Sequence, residues 1–174
     1  MTHPKIEEIR DKKVEKLLWL DLEMGGLDPG KDKVLEIAAV VTDLDLRELG
    51  KIDLVIHQSE RALKKINAWS QETFTKNGLL QKIKKSKLTQ KLAEEKFLKF
   101  IDKYFDPETP IILAGDSIYY DRCFISRYFK KIEKRLHYRM LDATSFWILF
   151  KDKYGKSLEF SEEEKKKAHL ASMM

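Results

Sequence analysis

Two acidic residues, Asp21 and Glu23, stand two positions apart at the end of a short apolar run. Side chains two apart on a β-strand point to one face, so both carboxylates would project away from Leu20 and Leu22. Two carboxylates aimed at one point repel each other unless a proton or a cation lies between them. Hard oxygen ligands of this kind suit Mg²⁺ or Mn²⁺. The pair indicates a divalent-cation site, and two solvated acids at a strand end are the alternative.

Two further residues could join this chemistry from distant points of the chain. Asp121 follows the apolar segment 111–114, at the junction of a buried strand and a helix, where α/β folds place their sites. His169 lies among small residues near the end of the chain, and a histidine can act as a general base near neutral pH. Each has a simpler alternative: Asp121 could stabilise a first helical turn, and His169 could be an ordinary helical side chain.

The hydrophobic pattern predicts the elements that must position these residues. Short apolar runs at 17–20, 34–42 and 52–57, separated by turns rich in Gly and Asp, predict three strands of an antiparallel meander. The spacing then becomes helical, most clearly between Ala93 and Tyr104. We expect strands at 111–114 and 138–142, helices at 122–132 and 144–151, and a helix start at Ser161. This order predicts one mixed α/β domain with helices on the faces of the sheet.

Composition excludes several classes of protein. The 174 residues include only 7 Gly and 4 Pro, which excludes a collagenous or low-complexity chain. No apolar run reaches the ~20 residues that span a bilayer, and the charged leader 1–16 holds no signal-peptide core. The single cysteine, Cys123, cannot form an internal disulfide, so we expect the cytoplasm or a comparable reducing compartment such as the mitochondrial matrix. The net charge of +5 suits a polyanionic partner and equally a solvated lysine-rich surface.

Several segments, taken together, resemble the oligoribonucleases, a family in the DEDDh class of 3′-to-5′ exonucleases. The first is the stretch around the two acids, LLWLDLEMGGLDPGKDKVLEIAAVVTD, and the others are 55–59, Trp69, 113–117, 121–122 and 137–142. Their joint occurrence in order is far more specific than one pair of acids. The resemblance covers about residues 17–172. It implies a ribonuclease H-like mixed sheet, with the first three strands antiparallel and the later ones parallel, flanked by helices.

The resemblance implies a role for each candidate catalytic residue. Asp21 and Glu23 match the first two metal carboxylates of the family, Asp121 matches the third, and His169 matches the histidine that activates the attacking water. The family hydrolyses phosphodiesters with two divalent ions, Mg²⁺ or Mn²⁺. In that scheme Asp21 bridges both ions. Glu23 holds the ion on the nucleophile side, and Asp121 holds the ion on the leaving-group side.

The resemblance also implies a pocket for the bases of a short single-stranded RNA. Leu27 matches a leucine that wedges between two bases. Met24 and Trp69 match parts of the base pocket, where flat apolar walls favour stacking without reading sequence. For Trp69 a buried anchor of its helix is an equally good alternative on the pattern alone.

A phosphate cap and a second subunit complete what the resemblance implies. Ser117 and Arg139 match groups that cap the 5′ phosphate and restrict the enzyme to very short oligomers. Tyr138 matches an aromatic residue that the partner subunit supplies. The implied assembly is therefore a homodimer in which Tyr138 and Arg139 act in trans.

The chain departs from the family pattern at several positions. The family has an aspartate five residues after its catalytic histidine, whereas Met174 stands there, and a thioether cannot hold a hard divalent ion. We therefore expect impaired hydrolysis by a single domain of residues 17–174 that lacks the usual carboxy-terminal helix, in a truncated chain or a weakened relative. Smaller departures are Asp116, Tyr120 and Phe74, where the family has asparagine, glutamine and histidine.

Three functions compete on this evidence. The first is an exoribonuclease that degrades RNA oligonucleotides of about two to five nucleotides to mononucleotides. The second is a homodimer of the same fold that binds short oligonucleotides and cleaves them weakly or not at all. The third, a plain α/β interaction domain, does not explain why Leu27, Trp69 and Ser117 occur in register with the acids. The sequence therefore favours the first two functions.

Overall fold

Alternation of apolar and polar residues builds the first three strands of the sheet. The structure is a computed structural model that describes residues 14–154. Strand β1 spans Lys16–Met24, β2 spans Val34–Asp43 and β3 spans Glu48–Val55. In β1, Leu18, Leu20 and Leu22 are buried, whereas Trp19, Asp21 and Glu23 between and after them are exposed or half-buried. Period-two burial of this kind is what an antiparallel strand with one covered face requires.

The two later strands extend the sheet on the other side of β1. Strand β4 spans Ile111–Gly115 and β5 spans Leu136–Asp142. The spatial order is β3-β2-β1-β4-β5. The pairs β1–β2 and β2–β3 are antiparallel, and the pairs β1–β4 and β4–β5 are parallel. The predicted α/β fold, antiparallel first and parallel later, is confirmed.

Seven helices accompany the sheet within residues 14–154. Four lie between β3 and β4: α1 Glu60–Leu63, α2 Ala68–Lys76, α3 Leu79–Lys85 and α4 Gln90–Ile101. Two lie between β4 and β5, and one follows β5: α5 Tyr119–Tyr128, α6 Lys130–Glu133 and α7 Ala143–Tyr154. None of these seven is long and apolar enough to cross a bilayer.

Two apolar clusters hold the helices in place. The main cluster joins the buried faces of the strands to α4, α5 and α6, and its largest fully buried side chains include Phe97, Phe124 and Phe129. The smaller cluster gathers the helices α1–α3 around Leu35 of β2. Leu35 is the extra residue of a β-bulge, since the pairing of β1 with β2 shifts between Glu23 and Met24. A bulge bends its strand and redirects a side chain, which here gives α1–α3 their anchor.

The predicted elements are correct in type, and several of them differ in extent. Strand β3 begins at Glu48 and ends at Val55, and the next backbone amide, that of Ile56, donates to the carbonyl oxygen of Leu35 at the bulge (2.8 Å). The helix predicted at 122–132 is two helices, which break at the fully buried Phe129 (φ −130°, ψ 67°). Helix α4 ends at Ile101, three residues before Tyr104. Most of the leader, residues 1–13, and the helix start at Ser161 lie outside the described residues.

Strand β4 approaches β1 so closely that its last residue has no room for a side chain. A Cβ atom on Gly115 would lie 2.7 Å from the carbonyl oxygen of Leu20 and 2.7 Å from Cδ1 of Ile118. Glycine is the residue that permits such an approach of backbone to backbone. The carboxyl end of β4 is therefore held beside the segment of β1 that carries the acids.

Candidate active site

Strand β1 presents Asp21 and Glu23 on one face of the sheet. Asp21 is exposed and Glu23 is half-buried. Leu20, which precedes them, and Leu22, which lies between them, belong to the main cluster. Across the antiparallel pair, Asp21 lies opposite Ala38 and Glu23 lies opposite Glu36. The shared face follows from the pleat of the strand, as the spacing predicts.

The third acid reaches this face from the β4–α5 connection. Asp121 lies in the first turn of α5 and is only 5% exposed. The backbone N–H of Leu22 donates to Oδ1 of Asp121 over 2.8 Å. Strand β4 pairs with β1 only at Leu18 and Trp19, so this amide lies beyond the ladder and takes a carboxylate as its partner. The bond fixes Asp121 beside the residue that separates the two β1 acids.

Loss of hydration, with a smaller contribution from neighbouring negative charges, raises the pKa of each of these carboxylates. Burial raises the pKa of Glu23 to about 7, and the charges of Asp21 and Asp121 add to the effect. Burial also raises the pKa of Asp121 to about 6, against the Leu22 amide, which favours the ionised form. Although the Asp21 side chain reaches solvent, the surrounding protein reduces its hydration, and this effect, followed by the charge of Asp116, raises the pKa of Asp21. Asp21 and Asp121 therefore act as like charges on Glu23, and Asp21 acts in the same way on Asp121.

The chemistry of this donor set fits a hard divalent cation. Carboxylate oxygens are the ligands that Mg²⁺ and Mn²⁺ prefer, and a cation would relieve the repulsion that raises the three pKa values. Within residues 14–154, however, no group of three or more His, Cys, Asp or Glu side chains converges as a ready metal cluster. The acids are neighbours in one site and do not by themselves form a closed ligand set.

A fourth carboxyl group, Glu36, extends the acidic face toward the sheet edge. It is half-buried opposite Glu23, and burial raises its pKa to about 7, with further contributions from Asp53 through its charge and a hydrogen bond. Lys82 opposes this shift in the pKa. Sequence reasoning gave Glu36 no role. The available signal was an acid inside the otherwise apolar run of β2.

The residues expected at the base pocket lie around the loop that follows the acids. Leu27 is 62% exposed in this loop, and Met24 is half-buried against the main cluster. Trp69 is 71% exposed near the start of α2, which excludes the buried-anchor alternative. Two hydrogen bonds connect the loop with the α2 start: Asn67 N donates to Gly25 O (2.9 Å), and Ser70 Oγ donates to Met24 O (3.5 Å).

Ser117 is held in a strained conformation by the β5–α7 connection. Its φ of 48° lies in the left-handed region, which costs energy for a residue with a side chain. Its backbone N–H donates to Asp142 Oδ1 (3.1 Å) and to Thr144 Oγ1 (2.9 Å). Sequence reasoning missed Thr144, although an acid and a hydroxyl two residues apart after a strand are a frequent capping signal.

The Ser117 hydroxyl is also committed within the protein. The Thr144 hydroxyl donates to Asp116 Oδ1. A hydroxyl has one proton, so Thr144 must accept in its 3.1 Å bond with Ser117 Oγ, and Ser117 must donate. The series of hydrogen bonds therefore ends on the Asp116 carboxylate, and the Ser117 hydroxyl donates its proton to Thr144 within the protein.

Two other positions near the expected phosphate cap differ in accessibility. Phe74 is 1% exposed and belongs to the α1–α3 cluster, so its side chain has no access to a substrate. Tyr138 is 57% exposed on β5, the edge strand of the sheet. The guanidinium of Arg139 lies 5.2 Å from the Tyr138 ring centre, and His137 stacks on the same ring at 4.4 Å. His169 and Met174 lie outside the described residues.

The mixed sheet, with acids at the carboxyl ends of two adjacent strands, defines a hydrolase of the nuclease type. A family model described as Exonuclease matches residues 18–172, and the chain belongs to this exonuclease family. The oligoribonuclease of Francisella tularensis subsp. novicida is 40% identical over 158 residues, 90% of this chain and 86% of the relative. The oligoribonuclease of Haemophilus influenzae is 42% identical over 132 residues, 75% of this chain and 72% of the relative. The predicted family is confirmed.

Solved exonucleases share the fold at low sequence identity. Exonuclease I from Methylocaldum szegediense aligns with a TM-score of 0.61 and 19% identity over 85% of this chain, which spans about a third (32%) of that protein. The nuclease domain of 3′hExo, a DEDDh family member bound to rAMP, aligns with a TM-score of 0.54 and 13% identity. That alignment covers 92% of this chain and 91% of the domain. The ribonuclease H-like fold is therefore established.

Replacement of Glu23 by glutamine should stabilise the metal-free protein at pH 8 and change its stability little at pH 5. The folded chain raises the pKa of Glu23 from 4.5 to about 7. The folded state therefore binds more protons than the unfolded state in this window, and stability is lost as the pH rises through it. The amide avoids that loss, which we expect to be about 2 kcal/mol. Thermal unfolding in EDTA at both pH values measures it.

Glu48→Gln, at an exposed position of β3, provides the matched control. It removes the same charge away from the other acids, so its effect on the melting temperature should be equal at the two pH values. If the effect of Glu23→Gln were also the same at pH 5 and pH 8, the folded protein would not raise the pKa of Glu23.

Proposed function

We propose that this chain is a 3′-to-5′ exoribonuclease that hydrolyses short RNA oligonucleotides to mononucleotides. One observation carries the proposal: the Leu22 amide holds Asp121 beside Asp21 and Glu23, so that three acids from two distant segments share one site. The relatives named oligoribonuclease support the substrate class, because they align over most of the chain. The exposed apolar residues around the same loop fit bases that stack without sequence preference.

The proposed cofactor is Mg²⁺ or Mn²⁺, held by Asp21, Glu23 and Asp121. When bound, such an ion supplies charge neutralisation and a water of lowered pKa at a phosphodiester. The protein contributes position: the β1 pleat aims two of the acids, and the Leu22 amide occupies one oxygen of the third. This hydrogen bond orients the Asp121 carboxylate. Ionisation of Glu23 and Asp121, with pKa values of about 7 and 6, would accompany metal uptake.

The remaining roles come from outside the described residues or from residues at the rim of the site. We propose that residues 17–174 form a single exonuclease domain and that His169 acts as the general base. Met174, in place of an acidic ligand, would weaken the ion on the nucleophile side and slow the reaction. At the rim, Leu27 and Trp69 would contact the bases together with Met24. The unpaired Cys123 is consistent with a cytoplasmic location.

Asp121→Asn should reduce turnover of a 5′-labelled dinucleotide in Mn²⁺ by about a hundredfold or more. The amide keeps an oxygen that can accept from the Leu22 amide, so the variant removes charge and leaves the tie between β1 and α5. Asp45→Asn, an exposed aspartate in the β2–β3 turn, is the matched control and should turn over normally. Product formation is measured by separation of mononucleotide from dinucleotide. Binding of the dinucleotide by the parent chain without any turnover would favour the non-cleaving alternative.

Arg139 is the proposed contact of a 5′ phosphate, whereas Ser117, expected beside it, is bonded within the protein and Asp116 opposes the contact. Because the Ser117 hydroxyl proton is used by Thr144, Ser117 has no free hydroxyl donor for an incoming phosphate. Asp116 adds a negative charge at the same place, and this charge contributes to the raised pKa values of Asp21 and Asp121. Repulsion of a terminal phosphate therefore follows from the local charges.

Asp116→Asn should raise the turnover of 5′-phosphorylated relative to 5′-hydroxyl dinucleotide by about tenfold. Asparagine can still accept from Thr144, so the variant changes charge and preserves the hydrogen-bonded chain. The measurement is the ratio of kcat/KM for the two substrates. Asp45→Asn removes the same charge far from this connection and should leave the ratio unchanged. An equal ratio in the parent and in Asp116→Asn would show that Asp116 does not select the substrate end.

We further propose that the active form is a homodimer in which Tyr138 and Arg139 serve the partner's site. Tyr138 is exposed on an edge strand. None of the base contacts proposed within its own subunit involves this ring. The next element, α7, exposes a run of large apolar side chains to solvent: Phe146, Trp147, Ile148, Leu149 and Phe150. Exposed apolar patches of this kind mark surfaces that associate.

Subunit mixing provides a direct test of action in trans. Tyr138→Ala should weaken dinucleotide binding by about 1–3 kcal/mol, the value of one base stack, and Asp121→Asn should be inactive. In a mixed dimer, the acids of the Tyr138→Ala subunit meet the intact Tyr138 of the other subunit, which restores one complete site. Activity after mixing should therefore exceed that of either variant alone. No gain on mixing, in a sample shown to be dimeric by sedimentation, would contradict the shared site.

A further inference from the structure

A cavity of about 190 Å³ lies beside the loop that follows the acids. Its walls come from residues 25–35 and from α1 with the turn after it. Leu35 and Ile66 supply apolar lining, and both belong to the α1–α3 cluster or pack against it. Gly25, also in the wall, follows Glu23 by two residues, so the cavity adjoins the loop of the acidic site. None of the three site acids lines it.

The polar lining of this cavity is strongly basic. Four cationic side chains line it, Lys31, Lys33, Arg61 and Lys65, against the single carboxylate of Asp32. Asp32 is itself engaged, because its Oδ2 accepts from the Asp28 backbone N–H over 2.9 Å. The cavity therefore has an excess of positive charge that its own acid does not balance.

Two of the four cations are already compensated. Lys31 forms a 2.7 Å ion pair with Asp28. Lys33 lies 4.9 Å from the ring centre of Tyr128 and 3.5 Å from its hydroxyl oxygen. These contacts turn both lysines toward partners of the protein.

The side chains of the other two cations, Arg61 and Lys65, have neither an ion pair nor a hydrogen bond within residues 14–154. They stand four positions apart, on α1 and in the turn after it, and both line the cavity. Like charges that line the same cavity repel each other. An anion between them would remove that repulsion and gain charge-assisted hydrogen bonds from the guanidinium fork.

We propose that this basic cavity binds a phosphoryl group, with Arg61 and Lys65 as its principal ligands. Its volume lies below the roughly 300–1,000 Å³ of pockets that enclose a whole drug-sized ligand. The cavity therefore accepts the phosphate of a nucleotide, while the sugar and base remain outside. The phosphate belongs either to RNA held by the acidic site or to a free mononucleotide. The RNA source rests on the proposed function, whereas the phosphate site itself does not.

Titration with inorganic phosphate in EDTA tests the site without catalysis. Backbone amide resonances of Gly25, Ala62 and Ile66 should shift and saturate in the parent chain. The double variant Arg61→Gln/Lys65→Gln should weaken this binding by about tenfold or more, because two charged donors are lost. The control Lys96→Gln/Lys99→Gln removes two charges from exposed positions of α4 and should bind as the parent does. No saturable shift in the parent, or equal weakening in the two double variants, would overturn the proposal.

Two further titrations distinguish the sources of the phosphate. Both titrations use an Asp121→Asn background without Mg²⁺ or Mn²⁺ and compare it with and without Arg61→Gln/Lys65→Gln. If the double change weakens binding of a pentanucleotide but not of AMP, the phosphate belongs to RNA. Weaker binding of AMP alone assigns it to the free mononucleotide. Dinucleotide turnover in Mn²⁺ is measured separately with the parent chain. Saturable phosphate binding without turnover would defeat the proposed function and leave this site standing, and turnover without phosphate binding would do the reverse.

Discussion

The hydrogen bond from the Leu22 amide to the Asp121 carboxylate is the contact on which the site depends. It joins residues 99 positions apart and spans the junction between β1 and the first turn of α5. The approach is possible because Gly115 lets β4 run against the Leu20 carbonyl, which brings the β4–α5 connection beside the β1 acids. A buried carboxylate without such a donor would be costly, so the bond stabilises the fold and orients the site at once.

Electrostatic conflict is the second property of this site. Burial and, to a lesser extent, neighbouring carboxylates raise the pKa values of Asp21, Glu23 and Asp121, and Glu36 extends the acidic face across to β2. Natural folds tolerate unfavourable local charges where function requires them, since the rest of the core supplies the stability. Here the main cluster under β1 holds the acids in place despite their repulsion. A bound cation would reduce this repulsion, so the acids fit a cation site better than a purely structural role.

Positive charge is concentrated beside the acidic site, at the basic cavity. The cavity beside the loop of the acidic site is lined by four cationic side chains, and Arg139 lies on the edge strand β5. This separation suits a polyanion that crosses the molecule and meets a cation-binding site on its way. Asp116 interrupts the pattern, because it places a carboxylate at the end of the hydroxyl chain through Thr144 and Ser117. The proposed discrimination at the 5′ end therefore rests on the residues of this chain.

Sequence patterns by themselves determined the strand types, the strand order of the meander, and the shared face of Asp21 and Glu23, because the period of two is a local property. Motif resemblance determined the family. The break of α5 and α6 at Phe129 and the bulge at Leu35 were decided by tertiary packing, since both depend on which buried partner each side chain meets. Only the folded chain showed that Trp69 is exposed, that the Ser117 hydroxyl donates to Thr144, and that Arg61 lines a cavity. Long-range contacts set these properties, and no local pattern encodes them.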